Sequence, residues 1–124
     1  MKKWRLEKEF RFEASHQLPY HDGKCKRLHG HSWAGRLVCE ADELQETGPQ
    51  RGMVVDFGRM KNAINDLLEN YLDHWHLNES LKIENPTSEV VAKWIYEKVK
   101  PQLPELSSVI IDETCTCRCI YSPS

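Results

Sequence analysis

Two stretches of strict alternation constrain the fold more than anything else in this chain. Over residues 4–16, Phe10, Phe12, Ala14 and His16 fall on one side, and Glu9, Arg11, Glu13 and Ser15 on the other. Side chains along a strand point alternately to opposite faces, so this pattern predicts a half-buried β-strand. Residues 31–41 repeat it, with His31, Trp33, Gly35, Leu37 and Cys39 sharing a face. In both predicted strands a histidine falls on the apolar parity.

Between and after these strands the punctuation changes. Pro19, Gly23 and Gly30 mark residues 17–30 as a loop, and Gly48, Pro49 and Gly52 mark a second one over 42–52. Residues 57–72 switch to helical spacing through Phe57, Met60, Ile64, Leu67, Leu68, Tyr71 and Leu72, with Asp56 as N-cap. Residues 73–85 read as polar and irregular. Asn85-Pro86 reads as a cap and first-turn proline for a second helix, whose stripe is Val90, Val91, Trp94, Ile95 and Val99 and which stops before Pro101. Residues 107–115 alternate again, with Val109, Ile111, Glu113 and Cys115 on one face, and a short strand follows over 117–121. The expected fold is α+β, a single domain over 1–124 in the order β-β-α-α-β-β, with an antiparallel four-stranded sheet covered on one face by two helices. So small a sheet leaves edges exposed, which invites assembly by strand pairing between chains.

Composition removes several function classes. Lys plus Arg is 17 and Asp plus Glu 19, giving −2, so no basic field exists to hold nucleic acid or an anionic membrane. The chain is 40% hydrophobic and 29% charged, which argues against disorder. No apolar run is long enough to span a bilayer, and the charged start Met-Lys-Lys-Trp-Arg-Leu-Glu-Lys-Glu has no signal-peptide core, so a cytoplasmic location is expected. The five cysteines are an odd number, and without a secretion signal they are expected to be free or catalytic thiols.

The chemistry concentrates in the histidines. His29 and His31 stand two apart at a strand entry, so both imidazoles can reach one ion, and His16 faces the same side from the neighbouring strand. Three neutral histidines form a known catalytic zinc set that keeps a fourth position open. Cys115, Cys117 and Cys119 are a rival set, but three thiols without a fourth ligand make a poor cage and read as packing residues. Cys25 lies among Lys24, Lys26 and Arg27, cations that favour the reactive thiolate; an inert exposed thiol is the competing reading. Asp73-His74 could be a carboxylate-oriented imidazole for proton transfer, with His76 competing for the role and a plain polar helix end as the bland alternative. Glu113 sits on the apolar parity of Val109 and Ile111. A carboxylate there needs a partner, either a ligand with two adjacent N–H donors or an arginine such as Arg11 or Arg36.

Taken together, Phe-Glu-Ala-Ser-His (12–16), Cys-Lys-Arg-Leu-His-Gly-His (25–31), Val-Val-Asp-Phe (54–57), Leu-Asp-His (72–74), Glu-Asn-Pro-Thr-Ser-Glu (84–89) and Glu-Thr-Cys-Thr (113–116) resemble the 6-pyruvoyltetrahydropterin synthase superfamily. The closest resemblance is to its bacterial, carboxy-forming branch in queuosine biosynthesis. The short spacing from Cys25 to His29 favours that branch over the pyruvoyl-forming one. The resemblance implies a tunnelling fold, with trimers closing a barrel and pairs of trimers forming hexamers. It implies His16, His29 and His31 as zinc ligands, Cys25 as catalytic thiol, Asp73 and His74 as proton relay, and Glu113 as pterin anchor that also joins the relay. The implied reaction is a lyase step converting 7,8-dihydroneopterin triphosphate to 6-carboxy-5,6,7,8-tetrahydropterin, releasing acetaldehyde and triphosphate, with zinc as the sole cofactor. Competing expectations are a pyruvoyl-forming synthase or another pterin-processing paralogue, and a non-catalytic zinc-stabilised binding module.

Overall fold

The computed structural model describes residues 2–124. Both alternating segments are strands, β1 (Trp4–His16) and β2 (His29–Ala41), antiparallel in a register that sets His16 opposite His29, Ala14 opposite His31 and Phe12 opposite Trp33. The second begins two residues earlier than its alternation indicated, because Gly30 continues the ladder against Ser15. A short 3-10 turn, Lys24–Lys26, interrupts the preceding loop.

Helix α1 spans Phe57–Leu67 and is capped as its sequence predicts, Asp56 Oδ1 accepting from Gly58 N at 2.7 Å. The apolar period continues to Leu72, but the α-helix does not. Leu68–Leu72 widens into a π turn closed by Asp73 N donating to Leu68 O at 2.7 Å. The segment expected to be irregular instead holds a two-residue strand, β3 (Trp75–His76), and one helical turn, α2 (Leu77–Ser80). Helix α3 is Ser88–Val99, capped by Thr87 Oγ1 accepting from Val90 N at 3.2 Å; Asn85 and Pro86 lie before the cap, which corrects the sequence reading. Strands β4 (Leu106–Thr114) and β5 (Cys117–Tyr121) close the chain, leaving Cys115 in the turn between them.

The sheet order is β3-β1-β2-β4-β5. It is therefore five-stranded and mixed rather than four-stranded and antiparallel, because β3 runs parallel to β1 at Ala14 and Ser15. The reason is the chain's path: Asp73 and His74 meet Glu13, so the chain leaves the π turn alongside the end of β1, and two residues of pairing satisfy its backbone there. Phe12, Trp33, Leu37 and Ile111 from the sheet pack with Met60, Ile64, Val91 and Ile95 from the helices in one buried core. No helix among the described residues is long and apolar enough to cross a membrane.

Among the glycines, Gly35 leaves the least room for a side chain. It pairs with Phe10, and an added Cβ would lie 2.4 Å from Phe10 Cζ and 2.9 Å from the Ile110 carbonyl oxygen. The Ile110 carbonyl belongs to the sheet backbone and cannot swing aside, so Gly35→Ala should destabilise the fold by about 1–3 kcal/mol. Urea unfolding should show a lower midpoint at unchanged slope; an unchanged midpoint would contradict this packing.

Candidate metal centre

The aromatic core leads into a cluster of histidines. Phe12 and Trp33 stack at 5.6 Å, and Trp33 meets His16 and His31 edge-on at 5.1 and 5.4 Å. The Trp33 indole N–H donates to the Ala14 carbonyl at 3.2 Å, which locks it as the floor of the site. His16 is fully buried, and His29 and His31 are partly exposed. His16 Nδ1 lies 2.8 Å from the carbonyl oxygen of Pro86, and His29 Nδ1 lies 2.7 Å from that of Arg27. An N–H on each Nδ1 satisfies those carbonyls and leaves Nε2 as the free lone pair, which is the arrangement of a metal-bound histidine and its outer-shell acceptor.

All three Nε2 atoms are buried and have no hydrogen-bond partner. With one carboxylate oxygen of Glu113 they form a set of four donor atoms within 4.8 Å of one another. Glu113 Oε1 lies 3.0 Å from His31 Nε2 and 3.4 Å from His16 Nε2. Orphaned ring nitrogens are costly in a protein interior unless something fills the space between them. A tetrahedral divalent ion such as zinc fits this donor set.

Burial holds the His16 and His31 imidazoles below the ordinary histidine value of 6.5, the neighbouring Glu113 charge opposing it. Both are thus favoured in the neutral form that a metal needs. The sign for stability follows directly. Below 6.5 the unfolded chain takes up protons that these folded imidazoles resist, so the metal-free protein should lose stability as pH falls. Urea midpoints compared at about pH 7.5 and about pH 5.5 should show the loss on the acid side; an equal midpoint at both would contradict it.

The other candidate residues are distributed around this centre. Asp73 and His74 do touch: Oδ2 lies 3.1 Å from His74 Nδ1, while Oδ1 accepts from Glu13 N at 2.9 Å. His74 is in the left-handed region at φ 66, held there by its own N–H to the Glu13 carbonyl. Its imidazole is largely exposed, and with His31, His76 and Ser15 it lines an open cleft of about 610 Å³. His76 Nδ1 lies 2.9 Å from Ser15 Oγ in that cleft, so it is engaged with Ser15 rather than with Asp73. A second cleft of about 640 Å³ is lined by Glu113, Arg11, Arg36 and Cys115, and it meets the first at His31.

Glu113 is half-buried rather than buried, with 26% of its side chain exposed. Neither arginine partners it. Arg11 pairs with Glu9, and Arg36 lies between Glu7, Glu9 and Asp112. Cys25 sits partly buried in the 3-10 turn, four residues ahead of His29, and lines neither cleft. All five cysteines are free, and Cys115, Cys117 and Cys119 form no metal-ligating group among the described residues. Sequence reasoning missed the carbonyls of Pro86 and Arg27, the Ser15–His76 pair and the Trp33 floor. Only Trp33 carried a signal, its shared parity with His31.

Four similarities bear on this geometry. The family profile described as 6-pyruvoyl tetrahydropterin synthase matches residues 5–124. A curated 6-carboxy-5,6,7,8-tetrahydropterin synthase from Synechocystis sp. is 50% identical over 119 residues, which cover 95% of this chain and 92% of that protein, and one from Bacillus subtilis is 32% identical over 127, covering 95% and 84%. The solved 6-pyruvoyl tetrahydropterin synthase of Caenorhabditis elegans superposes with a TM-score of 0.83 at 28% identity, covering 98% of this chain and 96% of that one.

Proposed function

This chain belongs to the 6-pyruvoyl tetrahydropterin synthase family, and from that premise we propose that it is a zinc-dependent lyase converting 7,8-dihydroneopterin triphosphate into 6-carboxy-5,6,7,8-tetrahydropterin, with release of acetaldehyde and triphosphate, for queuosine biosynthesis in the cytoplasm. The observation that carries the chemistry is the convergence of the buried Nε2 atoms of His16, His29 and His31, with one Glu113 oxygen, within 4.8 Å of one another. The carboxy-forming branch is supported by the half-identical Synechocystis relative and by the short Cys25–His29 spacing.

His16, His29 and His31 would hold the ion through Nε2, with Pro86 and Arg27 carbonyls fixing two of the rings. Zinc, when bound, supplies a Lewis acid that polarises the side-chain oxygens of the pterin and acidifies neighbouring C–H and O–H groups. The remaining steps fall to the chain. Glu113 presents a carboxylate at the rim of the second cleft, suited to a ring N–H and an exocyclic amine side by side. Asp73 holds Nδ1 of His74, leaving Nε2 of that exposed imidazole to give or take a proton in the first cleft. The second proton transfer is assigned to Cys25 on the family resemblance and on its loop leading into His29, since its thiol lines neither cleft. Mass analysis of the pterin formed from 7,8-dihydroneopterin triphosphate tests the reading. The carboxy product is expected; a 6-pyruvoyl product would move the chain to the sister branch.

A second reading is favoured by one distance. Glu113 Oε1 at 3.0 Å from His31 Nε2 could instead close the metal's fourth position, as in a structural site. Glu113→Ala separates the two. As pterin anchor its loss should weaken binding of sepiapterin in calorimetric titration while zinc content stays at parent level. Loss of zinc with unchanged pterin affinity would favour the closed site.

Assembly follows from the edges. The outer side of β1 from Trp4 to Glu13 has no strand partner among the described residues, and neither has the outer side of β5. We take the active form to be a homo-oligomer, a trimer or a hexamer, closed by pairing of these edges. Light scattering should give a multiple of the chain mass; an active monomer at micromolar concentration would contradict this.

A further inference from the structure

We infer that Asn78 is a positioning residue for the metal site, holding both the backbone that carries His16 and the loop whose carbonyl orients it. This inference rests on the zinc reading above. The parallel pairing of β3 with β1 ends at Ser15 and His76. One residue later the chain turns into α2 at Leu77, so its backbone can no longer offer groups to the strand beside it. The Asn78 side chain takes over. Its Oδ1 accepts from Gln17 N at 2.9 Å, and its Nδ2 donates to Gln17 O at 2.8 Å. A side-chain amide has the same donor and acceptor pair as a peptide, so it extends the ladder by one more step. That step falls on the residue directly after His16.

The same amide reaches the other side of the site. Nδ2 also donates to the Glu84 carbonyl at 3.0 Å, two residues before Pro86, whose own carbonyl meets His16 Nδ1 at 2.8 Å. No backbone hydrogen bond among the described residues joins the loop after His16 to residues 77–87. Apart from His16–Pro86 itself and an exposed Tyr20–Glu84 contact, Asn78 is the hydrogen-bonded tie between the two segments. Both protons and one lone pair of its amide are spent on backbone, so it faces the metal only through what it holds. Without it, Gln17 N–H and two carbonyls lose their partners, and His16 and its acceptor are free to shift relative to one another.

The test is zinc affinity, read by competition with a chromophoric chelator, for the parent and four variants. Asn78→Ala removes the amide. Asn78→Asp is isosteric, keeps the acceptor for Gln17 N–H and loses both donors, so it decides the matter should the alanine variant fail to fold. Ser80→Ala removes a hydroxyl that donates to Tyr71 O at 2.6 Å in the same α2 turn, without touching Gln17 or Glu84. Asn70→Ala removes an exposed amide that bonds only to Asp66. Both Asn78 variants should bind zinc at least ~10-fold more weakly, the scale for losing an outer-shell partner. The two controls should bind as the parent does, Ser80→Ala even where its melting temperature is lowered. Parent-like zinc affinity in a folded Asn78 variant would overturn the inference and leave the zinc reading standing. An equal loss in Ser80→Ala would also overturn it, by showing a general destabilisation. A parent chain that bound no zinc would overturn the reading and the inference together.

Discussion

Replacing His31 with alanine is expected to remove bound zinc and to take turnover below detection while the domain stays folded. His31 supplies one of three Nε2 donors, and its ring rests on Trp33, so its loss deletes a ligand and opens the wall between the two clefts. Two histidines and a carboxylate can ligate zinc, but Glu113 Oε1 lies 3.0 Å from the His31 ring, so the carboxylate loses its own positioning when that ring is removed. The fold should persist because the core is built without His31. Trp33, Phe12, Leu37 and Ile111 are all at most 1% exposed and pack on the helices independently of any ion. Metal analysis alongside circular dichroism checks both halves. Full activity in a zinc-free His31→Ala protein would contradict the assignment of the site.

Cys25→Ala should separate proton transfer from binding. The variant should keep its zinc and its pterin affinity yet turn over at least ~100-fold more slowly, the usual scale for losing a general base. Its thiol lies in a 3-10 turn between two lysines, and it donates nothing to the core. Loss of the side chain therefore leaves the histidines where they are. Normal turnover in this variant would remove Cys25 from the mechanism. Loss of zinc together with activity would instead make its loop a support for His29.

How much of the fold and site is legible in the sequence depends on the range of the interactions involved. Period-two alternation is local, so β1 is readable end to end, and the shared parity of His16, Phe12, His31 and Trp33 is enough to place histidines against the core. The cap of α1 is readable for the same reason, since Asp56 acts on Gly58. What escapes the sequence is set by distant partners. The apolar spacing through Leu72 is compatible with an α-helix and with the π turn that forms. The choice is made by where Asp73 and His74 must meet Glu13, about sixty residues away in sequence. Strand β3 exists because that same contact delivers Trp75 and His76 to the edge of β1. For α3, Asn85-Pro86 carries a credible capping signal, yet Pro86 is buried with its carbonyl turned to His16, and the cap passes to Thr87. A residue whose carbonyl orients His16 has given up its role as a helix start. Glu113 is found by parity, but that it approaches the histidines rather than Arg11 or Arg36 depends on how those arginines are engaged by Glu7, Glu9 and Asp112 across the sheet.

A metal held by His16, His29 and His31 should serve chemistry and not the integrity of the fold. Chelation followed by zinc re-addition tests it most directly, reading turnover of 7,8-dihydroneopterin triphosphate and far-ultraviolet circular dichroism on the same sample. Chelation should abolish turnover and leave the dichroism spectrum unchanged, and about one equivalent of zinc per chain should restore the rate. Unfolding on chelation, or turnover that persists in the metal-free protein, would contradict it.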